Sequence, residues 1–300
     1  MARPAVSWIL LTMGDRPTEV AAAVSSIPDR PGGPDADVVE RTEVIVVANG
    51  VPEGLPVVPS EVADGVRVVH SPENLGIPGG RNLGAATATA DVLAFLDDDA
   101  TIAAPEAVRA ALARFAAEPD LGVVALRIVD PESGHTMRRH VPRLRSGDAD
   151  RSGPVTSFLG GACIIRRSSF VEVGGYEAAL FYALEETDLA WRLVDAGWRI
   201  DYVAEAVVHH PATDISRHGA AHERTARNRV MVARRLLPMP LAPVYVLTWS
   251  AITLLRGRSV AAWRDWWRGT RAGLAAPVER RPIGWAGVWR LTRLGRPPII

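Results

Sequence analysis

The sequence predicts an α/β fold with a mostly parallel central sheet, followed by a helical C-terminal region. Short apolar, β-branched runs alternate with helical patterns through the first two-thirds of the 300 residues, which is typical of strand–helix–strand units. Residues 43–47 are almost continuously apolar, as expected of a strand buried on both faces. Beyond about residue 215 arginine and tryptophan become frequent. We therefore expect an α/β domain over residues 1–222 and a helical region over residues 223–300.

The predicted elements follow one another in a simple order. Residues 6–11 form a first strand, and a helix opens near Pro17. Residues 43–47 and 66–69 form the second and third strands. A helix from Gly79 or Gly80 to about Thr89 precedes a fourth strand at residues 92–96. Later, a helix starts at Glu185 and a strand covers residues 200–208.

Composition excludes several classes of function. The 34 basic residues are all arginine and equal the 34 acidic ones, so the basic excess typical of nucleic-acid-binding proteins is absent. The single cysteine, Cys163, excludes an internal disulfide and a thiolate zinc site, and its apolar neighbours predict a buried thiol. No secretory pattern opens the chain. We expect a cytoplasmic protein in a reducing compartment.

Three consecutive aspartates, Asp97, Asp98 and Asp99, follow the fourth apolar strand directly. Like charges this close are unfavourable unless a cation resolves them. Alternate residues of an extended segment share a face, so we expect Asp97 and Asp99 to point together and Asp98 elsewhere. Carboxylate oxygens suit Mg²⁺ or Mn²⁺. A divalent metal site is the interpretation we favour over an acidic surface turn.

Other polar groups are predicted near the aspartates. Ligands of open α/β sheets bind beyond the carboxyl ends of the strands, and Asn49 ends the second strand. The glycine-rich run at residues 74–84 precedes the aspartate strand. Its glycines allow close backbone approach, and Arg81 could pair with a diphosphate. The alternative is a glycine-rich turn with no ligand.

Two later motifs also have two interpretations. Glu185 and Glu186 open a helix, either as ordinary first-turn acids or with one of them as the general base for an acceptor hydroxyl. Asp188 and Arg192 are spaced as an i,i+4 ion pair. A histidine pair at residues 209–210 follows a strand, either as structural residues or with one as a third metal ligand. The polar segment at residues 131–153 is either a loop over the site or a solvated connection.

The stretch from residue 236 to residue 255 carries no charge and is long enough for a transmembrane candidate. Pro238, Pro240 and Pro243 would break a spanning helix, and the tryptophans that follow are typical of a membrane interface. Three interpretations stay open: an interfacial or re-entrant helix on the cytoplasmic leaflet, a true span, or a soluble helical subdomain or dimer interface.

Taken together, the motifs resemble the inverting family-2 glycosyltransferases, with the rhamnosyltransferase-like branch nearest. The resemblance runs from Val6 to about His210 through short pieces that occur in a specific order and spacing. The pieces are residues 43–50, 74–84, 95–100, 160–167, 174–176, 185–189 and 207–209. It implies an A-type nucleotide-diphospho-sugar transferase fold.

The resemblance also implies roles for individual residues. It makes Asp97 a contact to nucleotide-sugar and metal, Asp99 and His209 metal ligands, and Glu185 or Glu186 the base. Asn49 stands where the family usually has an aspartate that reads the nucleotide base, so base specificity is open. The remaining implied sites are the donor contacts Thr12, Arg16, Arg81 and Asp98, and the acceptor-side residues Gly160, Gly161 and Asp188.

Such an enzyme would use Mn²⁺ or Mg²⁺ and a single displacement. A carboxylate takes the proton of an acceptor hydroxyl as it attacks the anomeric carbon of a nucleotide-diphospho-sugar. The acceptor would be a glycan, a lipid-linked glycan or a small molecule, and a homo-oligomer and a membrane surface are expected partners to test. The rival hypotheses are a nucleotidyltransferase, which would be expected to have a lysine-containing loop, and a catalytically degenerate donor-binding partner.

Overall fold

The computed structural model describes residues 5–31, 42–143, 149–212, 221–256 and 259–300. Its first half forms a parallel sheet in the order β3-β2-β1-β4. These strands are β1 (Val6–Thr12), β2 (Thr42–Asn49), β3 (Val66–Ser71) and β4 (Val92–Asp97). The connecting helices are α1 (Pro17–Ser26) and α2 (Gly76–Thr87). All four predicted strands are confirmed, and each extends one or two residues beyond its predicted end.

The second half makes the sheet mixed rather than mostly parallel. It contains β5 (Thr101–Ile102), α3 (Pro105–Ala117), β6 (Leu121–Val129), β7 (Gly153–Pro154), β8 (Ala162–Arg166), α4 (Arg167–Glu172), α5 (Glu185–Ala196) and β9 (Arg199–His209). β8 lies between β4 and β6 and runs antiparallel to both. The chain leaves β6 and enters β8 at the same end of the sheet, so β8 has to run back. β9 is again parallel to β6.

The sheet separates two apolar cores, because alternate strand residues point to opposite faces. Trp8 and Leu10 of β1 face α1 and α3. Ile9 of the same strand, with Phe95 of β4, faces α2, α5 and the C-terminal helices. With both faces covered, the strand ends are where polar side chains can gather.

The C-terminal region consists of α6 (Ala221–Leu236), α7 (Leu241–Arg256), α8 (Val260–Ala275) and α9 (Trp285–Arg293). The apolar stretch at residues 236–255 is therefore split between two helices at Pro238. It is partly buried against the α/β region: Leu236 and Tyr245 belong to the core that includes Trp191, whose ring lies 5.8 Å from that of Tyr245. Across the described ranges, we find no helix with the length and apolar character needed to span a membrane.

α8 lies very close to α6. A Cβ atom on Gly269 would stand 2.1 Å from the Glu223 carbonyl oxygen, and one on Gly273 would stand 2.5 Å from that of Arg227. Only glycine permits this approach of one helix to the other. α8 is thus held to the α/β region through α6, and α9 packs against α5.

Candidate functional site

The candidate site lies beyond the carboxyl ends of β1 and β4, where the sheet ends in acidic residues. Asp97 is the last residue of β4, and the turn that follows is closed by the Ala100 amide, which donates to the Asp97 carbonyl at 3.1 Å. Asp98 and Asp99 lie within this turn. Arg16, just before α1, reaches across to both, at 3.7 Å and 2.6 Å respectively.

A histidine closes the other side of the aspartates, and it is His210 rather than His209. His210 Nε2 lies 3.2 Å from Asp99 Oδ1 and 3.8 Å from Asp97 Oδ2. His209 is the last residue of β9 and pairs with Thr101 in the ladder. β9 carries three extra residues opposite Leu126 and Arg127 of β6, so simple alternation along the strand does not give the orientation of its end. The metal-ligand role expected of His209 stays a prediction. We name Asp97, Asp98, Asp99, Arg16 and His210 the aspartate cluster.

Charge and burial shift the pKa values within the aspartate cluster. Burial acts to lower the pKa of His210, but the hydrogen bond to Asp99 and both carboxylate charges raise it to about 9. Burial, with repulsion from its two neighbours, raises the pKa of Asp98 to about 6 against the hydrogen bond with Thr12. Burial acts in the same direction on Asp99, but His210 and Arg16 outweigh it and hold the pKa of Asp99 below its ordinary value.

The aspartate cluster has the donor groups for a divalent cation. Cis ligands of an octahedral ion about 2.1 Å away lie roughly 3 Å apart, close to the separation of His210 Nε2 from Asp99. In the described parts of the chain, however, no three histidine, cysteine, aspartate or glutamate side chains are already arranged to coordinate a metal ion. Protein cations neutralise the carboxylates instead. Asp97, Asp99 and His210 therefore fit the ion in donor type, with small side-chain movements.

Arg81 of α2 joins the aspartates to the glutamate pair. Its Nη2 lies 3.0 Å from Asp97 Oδ1, and its Nη1 lies 3.8 Å from Glu185 and 3.7 Å from Glu186. Its side chain is only 6% exposed, and the expectation that Arg81 pairs with a diphosphate stays a prediction. It lies beneath the site and positions the carboxylates.

Gly160 and Gly161 leave room for these groups. A Cβ on Gly161 would lie 1.9 Å from Asp97 Oδ2, and a Cβ on Gly160 would lie 2.0 Å from Arg81 Nη1. The Gly160 amide also donates to Glu186 Oε1 at 3.2 Å. The two glycines, predicted on the acceptor side, lie just before β8 and contact Arg81, Asp97 and Glu186.

The two glutamates occupy different environments. The Glu185 side chain is 3% exposed and that of Glu186 is 21% exposed. Burial, with the neighbouring charge of Glu186, raises the pKa of Glu185 well above its ordinary value despite Arg81. Glu186 also lines a cavity of about 190 Å³, which we name the main cavity. Of the two, Glu186 can meet a substrate.

The backbone just before the glutamates is strained. Phe181, Ala183 and Leu184 have φ values of 61°, 70° and 68°, a region that non-glycine residues seldom adopt. Asn228 of α6, fully buried, donates from its amide to the carbonyls of residues 180, 182 and 183 at 2.8, 2.8 and 2.9 Å. Nothing in the local sequence of this turn indicates that it is hydrogen-bonded by a residue of the C-terminal region.

Three other predicted site residues have structural surroundings. Asn49 is buried, and its amide group is occupied by Asn74, by the Gly76 carbonyl and by the Leu75 amide. Asp188 is fully buried between Arg192 and Arg235, each at 2.5 Å. Both side chains are buried, and their expected roles, donor contact for Asn49 and acceptor contact for Asp188, stay predictions. Thr12 is also buried, and it hydrogen-bonds Asp98 and the Gly14 amide.

The glycine-rich run is part of a helix, not a loop before one. α2 starts at Gly76 rather than at Gly79 or Gly80. A Cβ on Gly80 would lie 2.3 Å from Leu11, and one on Gly84 would lie 2.4 Å from Ile9. These glycines let α2 press against β1, which brings Arg81 under the aspartates.

The main cavity is lined by residues that the sequence did not single out for it. His140, in a short 3₁₀ turn within the polar segment, stands with its ring 6.4 Å from that of His210. Arg139 and Arg296 also line the cavity. The polar segment is therefore a wall of the site, though residues 144–148 of it lie outside the described residues. Arg296 comes from beyond α9, too far along the chain for any local motif to link it to Glu186.

A family model described as "Glycosyl transferase family 2" matches residues 20–174. The chain is 34% identical over 155 residues to a pre-mycofactocin glycosyltransferase of Mycobacterium tuberculosis, covering 48% of this chain and 32% of that protein. It is 29% identical over 143 residues to the O-antigen chain rhamnosyltransferase RfbN of Salmonella typhimurium, covering 44% of this chain and 45% of that protein. The match thus spans only about a third of the first relative's length.

Solved structures share the fold at low sequence identity. A mannosyltransferase from Pyrobaculum calidifontis, in complex with GDP-Man and Mn²⁺, is 18% identical with a TM-score of 0.55, covering 98% of this chain and 74% of that one. S. aureus TarS, in complex with UDP-GlcNAc, is 13% identical with a TM-score of 0.56, covering 88% and 79%. The α/β region therefore has the A-type glycosyltransferase fold, with a mixed sheet.

Proposed function

Because the chain belongs to glycosyl transferase family 2, we propose that it transfers a sugar from a nucleotide-diphospho-sugar to an acceptor hydroxyl, with inversion. One observation carries the proposal beyond family membership. Arg81 touches both Asp97 of the aspartate cluster and Glu186, which lines the main cavity. The buried guanidinium of Arg81 thus fixes the position of the candidate base, Glu186, relative to the aspartate cluster. A single displacement requires the base and the leaving diphosphate to be held in such a fixed arrangement.

Glu186 is the base in this proposal. Its carboxylate is accessible from the main cavity and is oriented by the Gly160 amide, so it can accept the proton of an acceptor hydroxyl as that oxygen attacks. Glu185, buried beneath it, keeps a proton more readily and carries less charge to the site. Arg16, at the rim, is placed to pair with the diphosphate that leaves.

Asp97, Asp99 and His210 would hold Mn²⁺ or Mg²⁺ in this reaction. When bound, the ion supplies positive charge that stabilises a departing diphosphate. The presence of Mn²⁺ in the structure of the Pyrobaculum mannosyltransferase supports this assignment. The protein's own contribution is to hold the three ligands together and to anchor Asp97 through Arg81.

The test measures nucleotide release from a panel of UDP-, GDP- and dTDP-sugars with Mn²⁺ and without it. We expect turnover of one class of donor to need the metal and to be lost in Asp99→Asn. Asp64→Asn, an exposed aspartate before β3, serves as the matched control and should behave as the wild type. Metal-independent turnover that Asp99→Asn leaves unchanged would refute the metal assignment. Release of pyrophosphate instead of a nucleoside diphosphate would favour nucleotidyl transfer.

We further propose that the outer face of α8 binds an anionic membrane surface. Val260, Trp263, Trp267 and Leu274 recur at helical spacing and are 87, 47, 55 and 60% exposed, on the side opposite the glycines that contact α6. Exposed arginines such as Arg271 lie beside them. Tryptophan with arginine at one helix face complements an anionic lipid surface.

Sedimentation with vesicles tests this surface. We expect binding to phosphatidylglycerol vesicles, weaker binding to phosphatidylcholine vesicles, and loss in the double variant Trp263→Ser with Trp267→Ser. Leu55→Ser, which removes another exposed apolar side chain far along the chain, should bind normally. Equal sedimentation of the wild type and the tryptophan double variant would rule the surface out.

A further inference from the structure

A second, smaller cavity adjoins the main cavity. Its volume is about 60 Å³, and we name it the side cavity. Ser157, Leu184, Thr187 and Arg296 line both cavities. Arg229 of α6 lines the side cavity together with Trp191, Tyr245 and Trp249. The space in front of Glu186 therefore continues past Arg296 towards Arg229.

The two arginines at this end have only neutral partners within the described residues. Arg296 Nη1 donates to Ser157 Oγ at 3.0 Å. Arg229 Nη1 donates to the Tyr245 hydroxyl at 3.4 Å, and its guanidinium lies 3.4 Å from the centre of the Trp249 ring. No aspartate or glutamate side chain of the described residues contributes to the electrostatic surroundings of either arginine. Ile300 also lines the side cavity.

Two other arginines with little exposed side-chain surface, Arg235 and Arg81, are paired with carboxylates. Arg235 contacts Asp188 at 2.5 Å and Glu177 at 3.0 Å, while Arg81 contacts Asp97 at 3.0 Å. A cation taken out of water without an anion is costly. Burial accordingly lowers the pKa of both Arg229 and Arg296, and the positive charge of Arg229 lowers the pKa of Arg296 further. The side cavity thus holds positive charge that the described side chains do not balance.

We propose that Arg229 and Arg296 bind a phosphate group carried by the acceptor, whose hydroxyl then lies in the main cavity beside Glu186. This inference rests on the proposed function and names the class of acceptor: a sugar or lipid-linked sugar with a phosphate or diphosphate near the reacting hydroxyl. Two guanidinium groups favour a doubly charged group, and arginine matches phosphate oxygens with paired N–H donors.

The position of the arginines distinguishes this anion from the diphosphate of the donor. Arg16 and the aspartate cluster lie at one end of the site, and His140 and His210 connect that end to the main cavity. Arg229 lies at the other end, beyond Thr187. A donor diphosphate at the aspartate cluster leaves the side cavity free for a second phosphate.

The test compares the binding of glucose 1-phosphate with that of glucose by calorimetry, at fixed ionic strength and with EDTA to remove metals. We expect the phosphate to strengthen binding more than tenfold in the wild type. The double variant Arg229→Gln with Arg296→Gln should lose that preference, and Arg16→Gln should keep it. Arg151→Gln, at an exposed arginine outside both cavities and α8, controls for net charge.

Three results would overturn the inference. One is a phosphate preference that survives in the double variant, and another is its loss in Arg16→Gln alone, which would place the anion at the donor end. The third is equal affinity for inorganic phosphate and glucose 1-phosphate, which would make free phosphate the ligand. If the preference holds but no nucleotide-sugar is turned over, the proposed function fails and the phosphate site stands. If a nucleotide-sugar is turned over but glucose 1-phosphate binds no better than glucose, the phosphate site fails and the proposed function stands.

Thermal unfolding provides a second readout that does not need the ligand. Because Arg296 lacks an anionic partner, Arg296→Gln should leave Tm unchanged or raise it. Arg235→Gln, which removes one of the two arginines that pair with the buried Asp188, should lower Tm. A loss of Tm in Arg296→Gln as large as that in Arg235→Gln would show that Arg296 belongs to a structural ion pair and would refute the site.

Discussion

The two ends of the site differ in how their charge is balanced. At the aspartate cluster each carboxylate that faces the site has a protein cation: Arg81 meets Asp97, and Arg16 and His210 meet Asp99. At the other end, Arg229 and Arg296 rest on a tyrosine, a tryptophan ring and a serine. The first end is neutralised by its own residues, and the second is left cationic.

The difference follows from which parts of the chain build each end. The aspartate cluster is assembled from the ends of β4 and β9 and from the loop before α1. The cationic end is assembled from α6 and from the segment after α9, and α6 also holds the strained turn before Glu185. The C-terminal region is therefore part of the site, and the following variants test whether the two ends act separately.

The largest effect is expected at the carboxylate between the two ends. Glu186→Gln should reduce the rate of sugar transfer about 10²- to 10⁴-fold, the usual contribution of a general base, with donor affinity retained. Steady-state kinetics with saturating donor measures this. Glu185→Gln is the matched variant and should lose far less. A reversed order of the two variants would assign the base to Glu185.

Asn228→Ala tests whether α6 holds the glutamate turn. The change removes three hydrogen bonds to a strained segment and leaves buried carbonyls without a donor, so we expect a loss of about 2–3 kcal/mol in the free energy of unfolding. Urea unfolding measures it. Glu61→Ala, at an exposed position, should cost less than about 1 kcal/mol. Equal losses would show that Asn228 is an ordinary core residue.

Gly161→Ala should disturb the aspartate cluster alone. The added Cβ would overlap Asp97 Oδ2 at 1.9 Å, and a displacement of this size can cost about 10²-fold in function. We expect Mn²⁺-dependent donor binding to weaken by roughly tenfold or more, while glucose 1-phosphate still binds. Gly284→Ala, where the nearest atom is 3.4 Å away, is the control. Loss of both ligands together would mean that the two ends are not independent.

The last prediction concerns the pH dependence of stability. Burial raises the pKa of Glu185 from 4.5 to about 8, so the folded chain keeps a proton that the unfolded chain has released. Stability that is present at low pH is then lost as pH rises between these values, by about 1 kcal/mol per pH unit. Glu185→Gln should remove this slope in Tm between pH 6 and pH 8. Parallel Tm profiles for wild type and variant would contradict the raised pKa.

Much of the first half could be predicted, because its strands are uniformly apolar and its crossovers are parallel. The residues 43–47 and 92–96 identified β2 and β4, and Asp97 to Asp99 at a strand end indicated the site. β8 could not be oriented from its sequence, since its direction is set by the end of the sheet to which the chain returns. The start of α2 was missed because glycines normally weaken helices, whereas here they permit packing against Leu11 and Ile9.

The far end of the site could not be predicted from local patterns. His210 and His209 are adjacent in sequence, and only the three extra residues of β9 decide which of them faces Asp99. Arg296 lies 139 positions from Ser157, its hydrogen-bond partner. Asn228 and Arg229 lie in an arginine-rich helix whose sequence resembles a solvated surface. Such contacts depend on tertiary packing, which residue spacing does not encode.

The close contact between α6 and α8 has a consequence for mutational tolerance. Gly269 and Gly273 touch no substrate, yet any larger side chain there would push against the backbone of α6, the helix that carries Asn228 and Arg229. A saturation scan of α8 should therefore show two intolerant positions on one face and permissive ones, such as Arg271, on the other. Sequence variation in α8 would thus be limited by the need to keep α6, and with it Asn228 and Arg229, in place.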